Sequence, residues 1–374
     1  MTQQDITWVR AGQVFDGVTL HDGAVVGIDG GAVRKLATAA DVAGTHVTPI
    51  QGLITPGFVD LQVNGGGGVL FNTTPTAAGI ADIAAAHRKL GTTQILPTVI
   101  TDSPEVLERA ADAVLQAPGC LGLHIEGPHI SVPRRGTHAV EHIRPLDERT
   151  FQVVERLRAR DIPVMLTLAP EAATGAQIAR LANTGAVVSI GHSDATAQDA
   201  RAALSDGATC FTHLFNAMSP MLNRAPGVVG AAINSNAYAG IICDGIHVAD
   251  EMVALAIRAR PVADKMFIVS DAMPTVGGPD HFDLYGKRIH LENGALVNDQ
   301  GGLAGAHVTM LQSYVRLVST LGIAQETALR MCHTVPLDVM FGANRERQSL
   351  IGMDACDVMV IAPDGQFTWL NALT

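Results

Sequence analysis

The strongest constraint on the fold of this chain is a regular alternation of short apolar runs with segments of helical periodicity. Eight strand-like runs lie at residues 58–63, 93–99, 121–126, 164–168, 187–191, 209–213, 239–243 and 265–270. Helical patterns between them cover residues 77–90, 104–116, 147–160, 176–182, 197–205 and 250–260. Eight such units in about 215 residues predict an α/β fold with a parallel (β/α)8 barrel of the TIM type. An open doubly wound sheet is the alternative, because a sequence does not reveal whether a sheet closes.

The two ends of the chain have a different pattern, in which short apolar runs are separated by Asp-Gly turns. The pairs Asp16-Gly17 and Asp22-Gly23 are typical of hairpins, and residues 358–361 and 367–370 are again strand-like. Neither end has enough strands for a core of its own. We therefore predict one small β-sandwich domain built from residues 1–52 and 345–374. The barrel then occupies residues 53–344, with a β insertion at about 282–303 and helices at 307–321 and 325–332.

Charge and cysteine content exclude several classes of protein. The net charge of −11 argues against a general nucleic-acid binder. The five cysteines are scattered without a CxxC pair, which is typical of a reducing compartment. The first residues lack the basic and apolar segments of a signal peptide, and no apolar run approaches the roughly 20 residues of a membrane span. We expect a cytoplasmic protein that does not contact membranes.

Four polar residues stand at the ends of four predicted strands: Glu126, His192, His213 and Asp271. The carboxyl ends of barrel strands all open on the same face, so these side chains are expected to converge. Two imidazoles and a carboxylate form a plausible shell for Zn²⁺ or Fe²⁺, and a second carboxylate beside it can act as acid and base in hydrolysis. The alternative for each residue is a hydrogen-bonded structural role, which is common for a single strand-end histidine.

Further polar residues lie on loops of the same predicted face. His138 and His247 follow strand ends, where a role towards substrate and a surface role are alternatives. The segment from Asn216 to Arg224 is rich in Met and Pro, which is ordinarily typical of packing, although Arg224 is suited to binding phosphate. His124 and His129 are expected to be structural, and His307 stays open.

The motifs, taken together and in order, resemble the N-acetylglucosamine-6-phosphate deacetylases of the amidohydrolase superfamily, nearly end to end. The resemblance is carried by Pro56-Gly-Phe-Val-Asp-Leu-Gln-Val-Asn-Gly, His124-Ile-Glu-Gly-Pro-His, Arg134-Arg-Gly-Thr-His-Ala, Gly191-His-Ser-Asp-Ala-Thr, Thr212-His-Leu-Phe-Asn-Ala-Met, Asp244-Gly-Ile-His and Ser270-Asp-Ala-Met. It implies a metal-dependent barrel of the amidohydrolase type that removes acetate from an amino sugar phosphate.

The resemblance also implies a role for each matching residue. Glu126, His192 and His213 would hold one divalent metal ion per subunit, with Zn²⁺ expected and Fe²⁺, Co²⁺ or Mn²⁺ as alternatives. Asp271 would be the acid and base, and His138 would orient or polarise the acetyl carbonyl. The remaining residues would bind the sugar phosphate: Asn216, the backbone of Ala217, His247 and Arg224. In the family this arginine reaches into the neighbouring subunit's site, which implies a homodimer.

The chain departs from the wider superfamily at the end of the first barrel strand. Many amidohydrolases have His-x-His there, which supplies ligands for a second metal, whereas this chain has Gln62 and Asn64. Neutral amides are poor Zn²⁺ ligands, so these residues mark a vestigial second metal position and a single-metal site. Two alternatives stay open: a hydrolase for N-acetylgalactosamine 6-phosphate or for an unphosphorylated N-acyl compound or cyclic amide, and a non-enzymatic barrel. The latter is disfavoured because all four strand-end positions are filled.

Overall fold

The fold is described from a computed structural model, which covers residues 6–117, 119–298 and 301–374. The first part of the chain forms seven short strands: β1 Thr7–Arg10, β2 Gln13–Phe15, β3 Leu20–Asp22, β4 Val25–Asp29, β5 Ala32–Ala37, β6 Val47–Pro49 and β7 Leu53–Pro56. These strands divide between two sheets. One sheet has the order β5-β4-β1-β6, and the other contains β2, β3 and β7.

The middle of the chain forms the predicted barrel. Its strands and two short companions are β8 Phe58–Val63, β9 Gly65–Gly66, β10 Val69–Leu70, β11 Thr92–Ile100, β12 Leu123–Glu126, β13 Val164–Leu168, β14 Val187–Ile190, β15 Cys210–Phe211, β16 Tyr238–Ile241 and β17 Met266–Ile268. Strands β8 and β11 to β17 lie side by side in chain order and pair in parallel. A parallel bridge between Val63 and Ala272 joins the first strand to the end of the eighth. The barrel prediction is therefore confirmed over the open-sheet alternative.

Seven helices connect the barrel strands: α1 Ala77–Arg88, α2 Pro104–Leu115, α3 Glu148–Arg158, α4 Gly175–Asn183, α5 Ala197–Ser205, α6 Gly227–Ile233 and α7 Asp250–Ala259. A Thr, Ser or Asp side chain accepts a backbone N–H at the start of the first five, namely Thr76, Ser103, Asp147, Thr174 and Thr196. These caps satisfy N–H groups that have no partner within the helix, so each loop ends at a defined residue.

The predicted insertion is a four-stranded antiparallel sheet. Its strands are β18 His281–Leu284, β19 Lys287–Glu292, β20 Ala295–Asn298 and β21 Leu303–Ala306, in that spatial order. Ala306 also bridges to Ala272, so the last strand of the insertion continues from the closing edge of the barrel.

The remaining chain packs against the barrel and returns to the first domain. It comprises α8 Met310–Ser319, α9 Gln325–Leu329, α10 Val335–Phe341, α11 Arg345–Gln348, β22 Val358–Ile361 and β23 Phe367–Trp369, with a π-helical turn at Arg330–Thr334. Strand β22 pairs with β7, which completes a sheet of order β23-β22-β7-β2-β3. The two end sheets share one apolar core that includes Val9, Val26, Ile54 and Val360. The sandwich from both chain ends is therefore confirmed, while the exact domain limits stay a prediction.

Two details differ from the sequence expectations. The sixth, seventh and eighth segments were predicted as strands 209–213, 239–243 and 265–270, but the strands end at Phe211, Ile241 and Ile268. The helix expected at 325–332 ends at Leu329 and gives way to the π-helical turn. Separately, among the described helices none combines the length and the hydrophobicity that crossing a bilayer requires.

Candidate active site

The four strand-end residues meet in one cavity at the carboxyl end of the barrel. Glu126 is the last residue of β12, while His192 and His213 follow β14 and β15 closely. Asp271 comes shortly after β17. His192, His213 and Asp271 all have positive φ angles, of 48°, 30° and 51°. Non-glycine residues rarely adopt this conformation, and where they do the strain is often found at functional sites.

Glu126 forms the centre of a cluster of possible metal ligands. Its Oε1 atom lies 3.1 Å from Nε2 of His192 and 2.9 Å from Nε2 of His213. The two imidazole nitrogens are 3.1 Å apart, and all three residues are buried. Tetrahedral metal bonds of about 2.0–2.1 Å place ligand atoms roughly 3.3 Å apart. The spacing of this trio therefore fits one small divalent ion, as their ligand atoms all lie within 4.8 Å of one another.

The hydrogen bond that His192 makes through Nδ1 leaves a lone pair on Nε2, the nitrogen that faces Glu126. Nδ1 of His192 donates to the carbonyl of Arg134 at 2.8 Å, because a carbonyl can only accept. In the neutral ring, Nε2 then carries a lone pair that faces the Glu126 carboxylate. Two electron-rich atoms 3.1 Å apart in a buried site require a cation or a proton between them. The donor set thus fits a metal on chemical grounds as well as geometric ones.

The protonation of the buried groups reflects their mutual contacts. Burial alone would raise the pKa of Glu126, but the hydrogen bonds and charges of His192 and His213 hold it well below its usual value. Burial lowers the pKa of His213, and the bond to Glu126 with its charge more than offsets this, so the net shift is upwards. The two histidine contacts therefore stabilise the charged form of Glu126, and Glu126 stabilises the charged form of His213.

Asp271 is oriented by the two amides of the first strand. Its Oδ1 accepts hydrogen bonds from Nδ2 of Asn64 at 2.7 Å and from Nε2 of Gln62 at 3.1 Å. The Gln62 amide also donates to Oε1 of Glu126 at 3.0 Å, so it links the acid to the ligand cluster. Burial, followed by the charge of Glu126, raises the pKa of Asp271 to about 6. This carboxyl group can therefore exchange a proton near neutral pH.

A third buried carboxyl group, which sequence reasoning missed, supports this arrangement. Asp60 lies inside β8, and it accepts hydrogen bonds from the Ser270 hydroxyl and from the backbone N–H groups of Ser270 and Gln62. Burial raises its pKa to about 7. Asp60 thus fastens the segment before Asp271 to the first strand. Its position in the middle of an apolar strand, where a carboxylate is costly, was the signal that could have identified it.

Two further histidines face the cavity and are fixed by one ring nitrogen each. Nδ1 of His138 lies 2.7 Å from Oγ1 of Thr101, and Nδ1 of His247 donates to Asp244 at 2.6 Å. Burial, followed by the nearby ring of His192, lowers the pKa of His138 to about 3, so this ring is neutral. Each histidine leaves Nε2 available on the side of the cavity.

The cavity lining includes all of the predicted site residues except Gln62 and Arg224. Gln62 lies beneath the lining, bonded to Glu126 and Asp271. Arg224 is exposed on the loop before α6 and lies outside the cavity of its own chain. Residues that sequence reasoning did not single out complete the wall: Ile100, Gly136, Thr137, Ile242, Met273, Leu303 and Gly305. Leu303 and Gly305 come from the insertion.

The three histidines that stood apart from the proposed site have other partners. Both ring nitrogens of His124 form hydrogen bonds, one with the Leu61 carbonyl and one with Thr167. Both ring nitrogens of His129 also form hydrogen bonds, one with the Arg144 carbonyl and one with Thr150. These contacts are structural, as expected. Nδ1 of His307 bonds to Thr275 at 2.9 Å.

Comparison with known proteins gives consistent matches over most of the chain. The sequence profile of the amidohydrolase family matches residues 53–273. The chain is 40% identical over 301 residues to N-acetylgalactosamine-6-phosphate deacetylase of Shewanella sp. (strain ANA-3), which covers 78% of this chain and 75% of that protein. It is 35% identical over 329 residues to N-acetylglucosamine-6-phosphate deacetylase of Haemophilus influenzae, with 85% of each chain covered. The crystal structure of N-acetylglucosamine-6-phosphate deacetylase from Pasteurella multocida superposes with a TM-score of 0.88 at 32% identity, over 98% of both chains.

Proposed function

The chain belongs to the amidohydrolase family, and we propose that it is a metal-dependent deacetylase that converts N-acetylglucosamine 6-phosphate to glucosamine 6-phosphate and acetate. The observation that carries the proposal is the convergence of Glu126, His192 and His213 on one point, with Asp271 bonded to the same amide as Glu126. Relatives of that name match this chain over most of its length.

We propose that the trio holds one divalent metal ion, with Zn²⁺ as the first candidate. Zn²⁺ prefers imidazole and carboxylate ligands, and catalytic sites combine three protein ligands with an open position. When bound, such an ion lowers the pKa of water and polarises a carbonyl group. Fe²⁺, Co²⁺ and Mn²⁺ are the alternatives, since geometry, ligand type and availability rather than affinity alone decide which of these metals is bound.

Asp271 is the residue that moves the proton in this proposal. Hydrogen bonds from Asn64 and Gln62 occupy its Oδ1, so proton exchange falls to Oδ2. The carboxylate takes one proton from water as the water oxygen bonds to the amide carbon. It then gives that proton to the nitrogen as the carbon–nitrogen bond breaks, which leaves a free amine and acetic acid, and the acid becomes acetate by releasing the second proton of the water to solvent. His138 donates a hydrogen bond from Nε2 to the acetyl oxygen, on which negative charge develops.

The sugar phosphate is assigned to the outer part of the cavity. Asn216, Ala217 and His247 line that region, and the backbone there is unusual because Phe215 and Ala217 have φ angles of 79° and 51°. Arg224 supplies the cation for the phosphate from a second subunit, since in its own chain it is exposed and lies outside the cavity. Met221 and Leu222 on the same loop are 44% and 58% exposed, which supports burial of this loop in a homodimer.

We also propose that the protein acts in the cytoplasm. All five cysteines are free, including the exposed Cys356. Free thiols persist in reducing compartments.

N-acetylgalactosamine 6-phosphate is a second candidate substrate, because the Shewanella relative at 40% identity bears that name. The two sugars differ only in the configuration of one hydroxyl group. The deciding experiment measures acetate release by the zinc-loaded protein from both phosphorylated sugars and from both unphosphorylated ones. We expect kcat/KM to be roughly 10- to 100-fold higher with phosphate, the range of one charge-assisted hydrogen bond. Release of no acetate from either phosphorylated sugar by metal-loaded protein contradicts the proposed function.

A further inference from the structure

We propose that Thr101 is a positioning residue for His138: its hydroxyl donates to Nδ1 and so directs the single proton of the neutral ring to Nε2, which faces the cavity. This inference rests on the proposed function, in which Nε2 donates a hydrogen bond to the acetyl oxygen. It concerns a residue that does not itself reach the cavity.

The contact between the two side chains is short and buried. Oγ1 of Thr101 lies 2.7 Å from Nδ1 of His138, Thr101 is fully buried, and only 4% of His138 is exposed. Thr101 directly follows β11, whereas His138 lies between two 3-10 turns, Val132–Arg134 and Val140–His142. Because no strand or helix holds the histidine, its ring takes its orientation from side-chain contacts such as this one.

Thr101 has further contacts on both sides. Its carbonyl accepts a hydrogen bond from the hydroxyl of Tyr285, at 2.5 Å, and Tyr285 lies in the turn between β18 and β19 of the insertion. On the other side the hydroxyl approaches Gly127, where a Cβ atom would lie 2.3 Å from Oγ1. The absence of a side chain at Gly127 makes room for the hydroxyl.

The direction of the hydrogen bond follows from the other contacts of the hydroxyl. Thr101 has one hydroxyl proton, and its second acceptor within reach is the Glu126 carbonyl, at 3.5 Å. A contact of 3.5 Å is at the limit of a hydrogen bond, whereas 2.7 Å is ideal for a hydroxyl donor. The proton therefore lies in the bond to Nδ1. A neutral imidazole with an acceptor at Nδ1 carries its hydrogen at Nε2.

The surroundings of Nε2 agree with a donor that faces substrate. Among the described residues Nε2 of His138 has no hydrogen-bond partner, and His138 lines the cavity. It is not part of the trio whose ligand atoms lie within 4.8 Å of one another. A lone pair at Nε2 would repel the acetyl oxygen, while an N–H there stabilises the charge that develops on it.

The kinetic test compares three variants in the zinc-loaded protein. Thr101→Val removes the hydroxyl at nearly constant shape and is expected to lower kcat roughly 100-fold, the lower range for losing an oxyanion donor. KM should stay within about threefold, because the sugar and phosphate contacts are elsewhere. Thr101→Ser keeps the hydroxyl and should stay within about threefold of the wild type in kcat. Thr92→Val is the matched control, since Thr92 begins the strand that Thr101 follows, is 1% exposed, and has a buried hydroxyl without a partner in the described structure.

A direct readout does not depend on turnover. ¹⁵N-labelled histidine distinguishes protonated from unprotonated ring nitrogens, and the His138 signals are assigned by their loss in His138→Gln. We expect the proton on Nε2 in the wild type and in Thr101→Ser, and a measurable population with the proton on Nδ1 in Thr101→Val. A wild-type proton on Nδ1, a Thr101→Val enzyme within threefold of wild-type kcat, or equal losses in the Val and Ser variants would each overturn the inference.

The two proposals fail in different ways. If the metal-loaded wild type releases no acetate from either phosphorylated sugar, the proposed function is wrong. The NMR comparison of wild type with Thr101→Val still reports on the tautomer in that case. If the wild type is active and the Thr101 variants behave like Thr92→Val, only the positioning role is wrong.

Discussion

The substitution Asp271→Asn tests the proton carrier while leaving its surroundings in place. Both hydrogen bonds that orient Asp271 go to the same oxygen, from Asn64 at 2.7 Å and from Gln62 at 3.1 Å. The carbonyl oxygen of an asparagine can accept both. The variant therefore loses the ability to take up and release a proton, but not its position.

The expected loss can be worked out from that single change. General acid–base catalysis contributes roughly 10²- to 10⁴-fold to the rate. Each factor of ten corresponds to about 1.36 kcal/mol, so the activation barrier should rise by about 2.7–5.5 kcal/mol. The change should appear in kcat, since the amide nitrogen of the variant neither takes nor delivers a proton. KM should change by less than about threefold, because the sugar and phosphate contacts are preserved.

The pH dependence adds an independent readout. Burial and the charge of Glu126 raise the pKa of Asp271 to about 6. The carboxylate is the active form, so kcat/KM of the wild type should fall as the pH decreases through this value, or through a lower one when a cation is bound. In Asp271→Asn this acidic limb should be absent from the residual activity.

The assay combines acetate release with metal analysis and calorimetric titration of the substrate. Asp112→Asn is the control, because Asp112 is exposed and pairs with Arg156 on the outside of the barrel at 2.8 Å. It should have wild-type kinetics. If Asp271→Asn retained one full metal per chain and a kcat within tenfold of the wild type, the assignment of this aspartate would be refuted.

Three further outcomes are expected. Glu126→Gln removes the only negative charge of the ligand trio, so the purified protein should contain well under one metal ion per chain. Addition of zinc should no longer raise its Tm, and a full metal content contradicts the assignment. Arg224→Ala should raise KM roughly 10- to 100-fold for the phosphorylated sugar but not for the unphosphorylated one, and equal effects argue against a phosphate contact. The metal-free protein should be less stable at pH 5 than at pH 8. Burial raises the pKa of Asp60 to about 7 and of Asp271 to about 6, and the stability they contribute is lost as the pH rises through those values. Burial lowers the pKa of five buried histidines, whose larger combined contribution is present above the unfolded value of about 6.5 and is lost as the pH falls, namely His87, His124, His129, His138 and His333; a Tm that is higher at pH 5 than at pH 8 contradicts this.

The strand-end residues could be predicted because a parallel barrel gives their positions a shared direction. Glu126, His192, His213 and Asp271 are far apart in the sequence, yet each follows or ends an apolar run. Since the carboxyl ends of all barrel strands open on one face, the alternation of strands and helices along the chain is enough to predict that these residues meet. Identifying them required no knowledge of how neighbouring strands align.

The supporting residues could not be found in this way. Thr101 and Tyr285 meet only because the insertion folds back over the end of β11, and their contact spans 184 positions.

Helix α6 was missed for a different reason. Its sequence from Gly227 to Ile233 is buried on all sides, so it lacks the alternation of apolar and polar residues that indicates a helix.

The bridge between Val63 and Ala272 has a consequence for how the protein folds. Gln62 and Asn64 belong to the first barrel strand, and they hold Asp271 from across 209 and 207 positions of the chain. Glu126, His192 and His213 lie at the ends of the third, fifth and sixth barrel strands, away from the first and the last. These three residues can therefore come together while the ring of strands is still open. The aspartate cannot be oriented until the first and last strands meet. In the proposed function, a chain with an open ring would therefore have its metal ligands together before Asp271 is oriented, and recovery of activity on refolding would report ring closure.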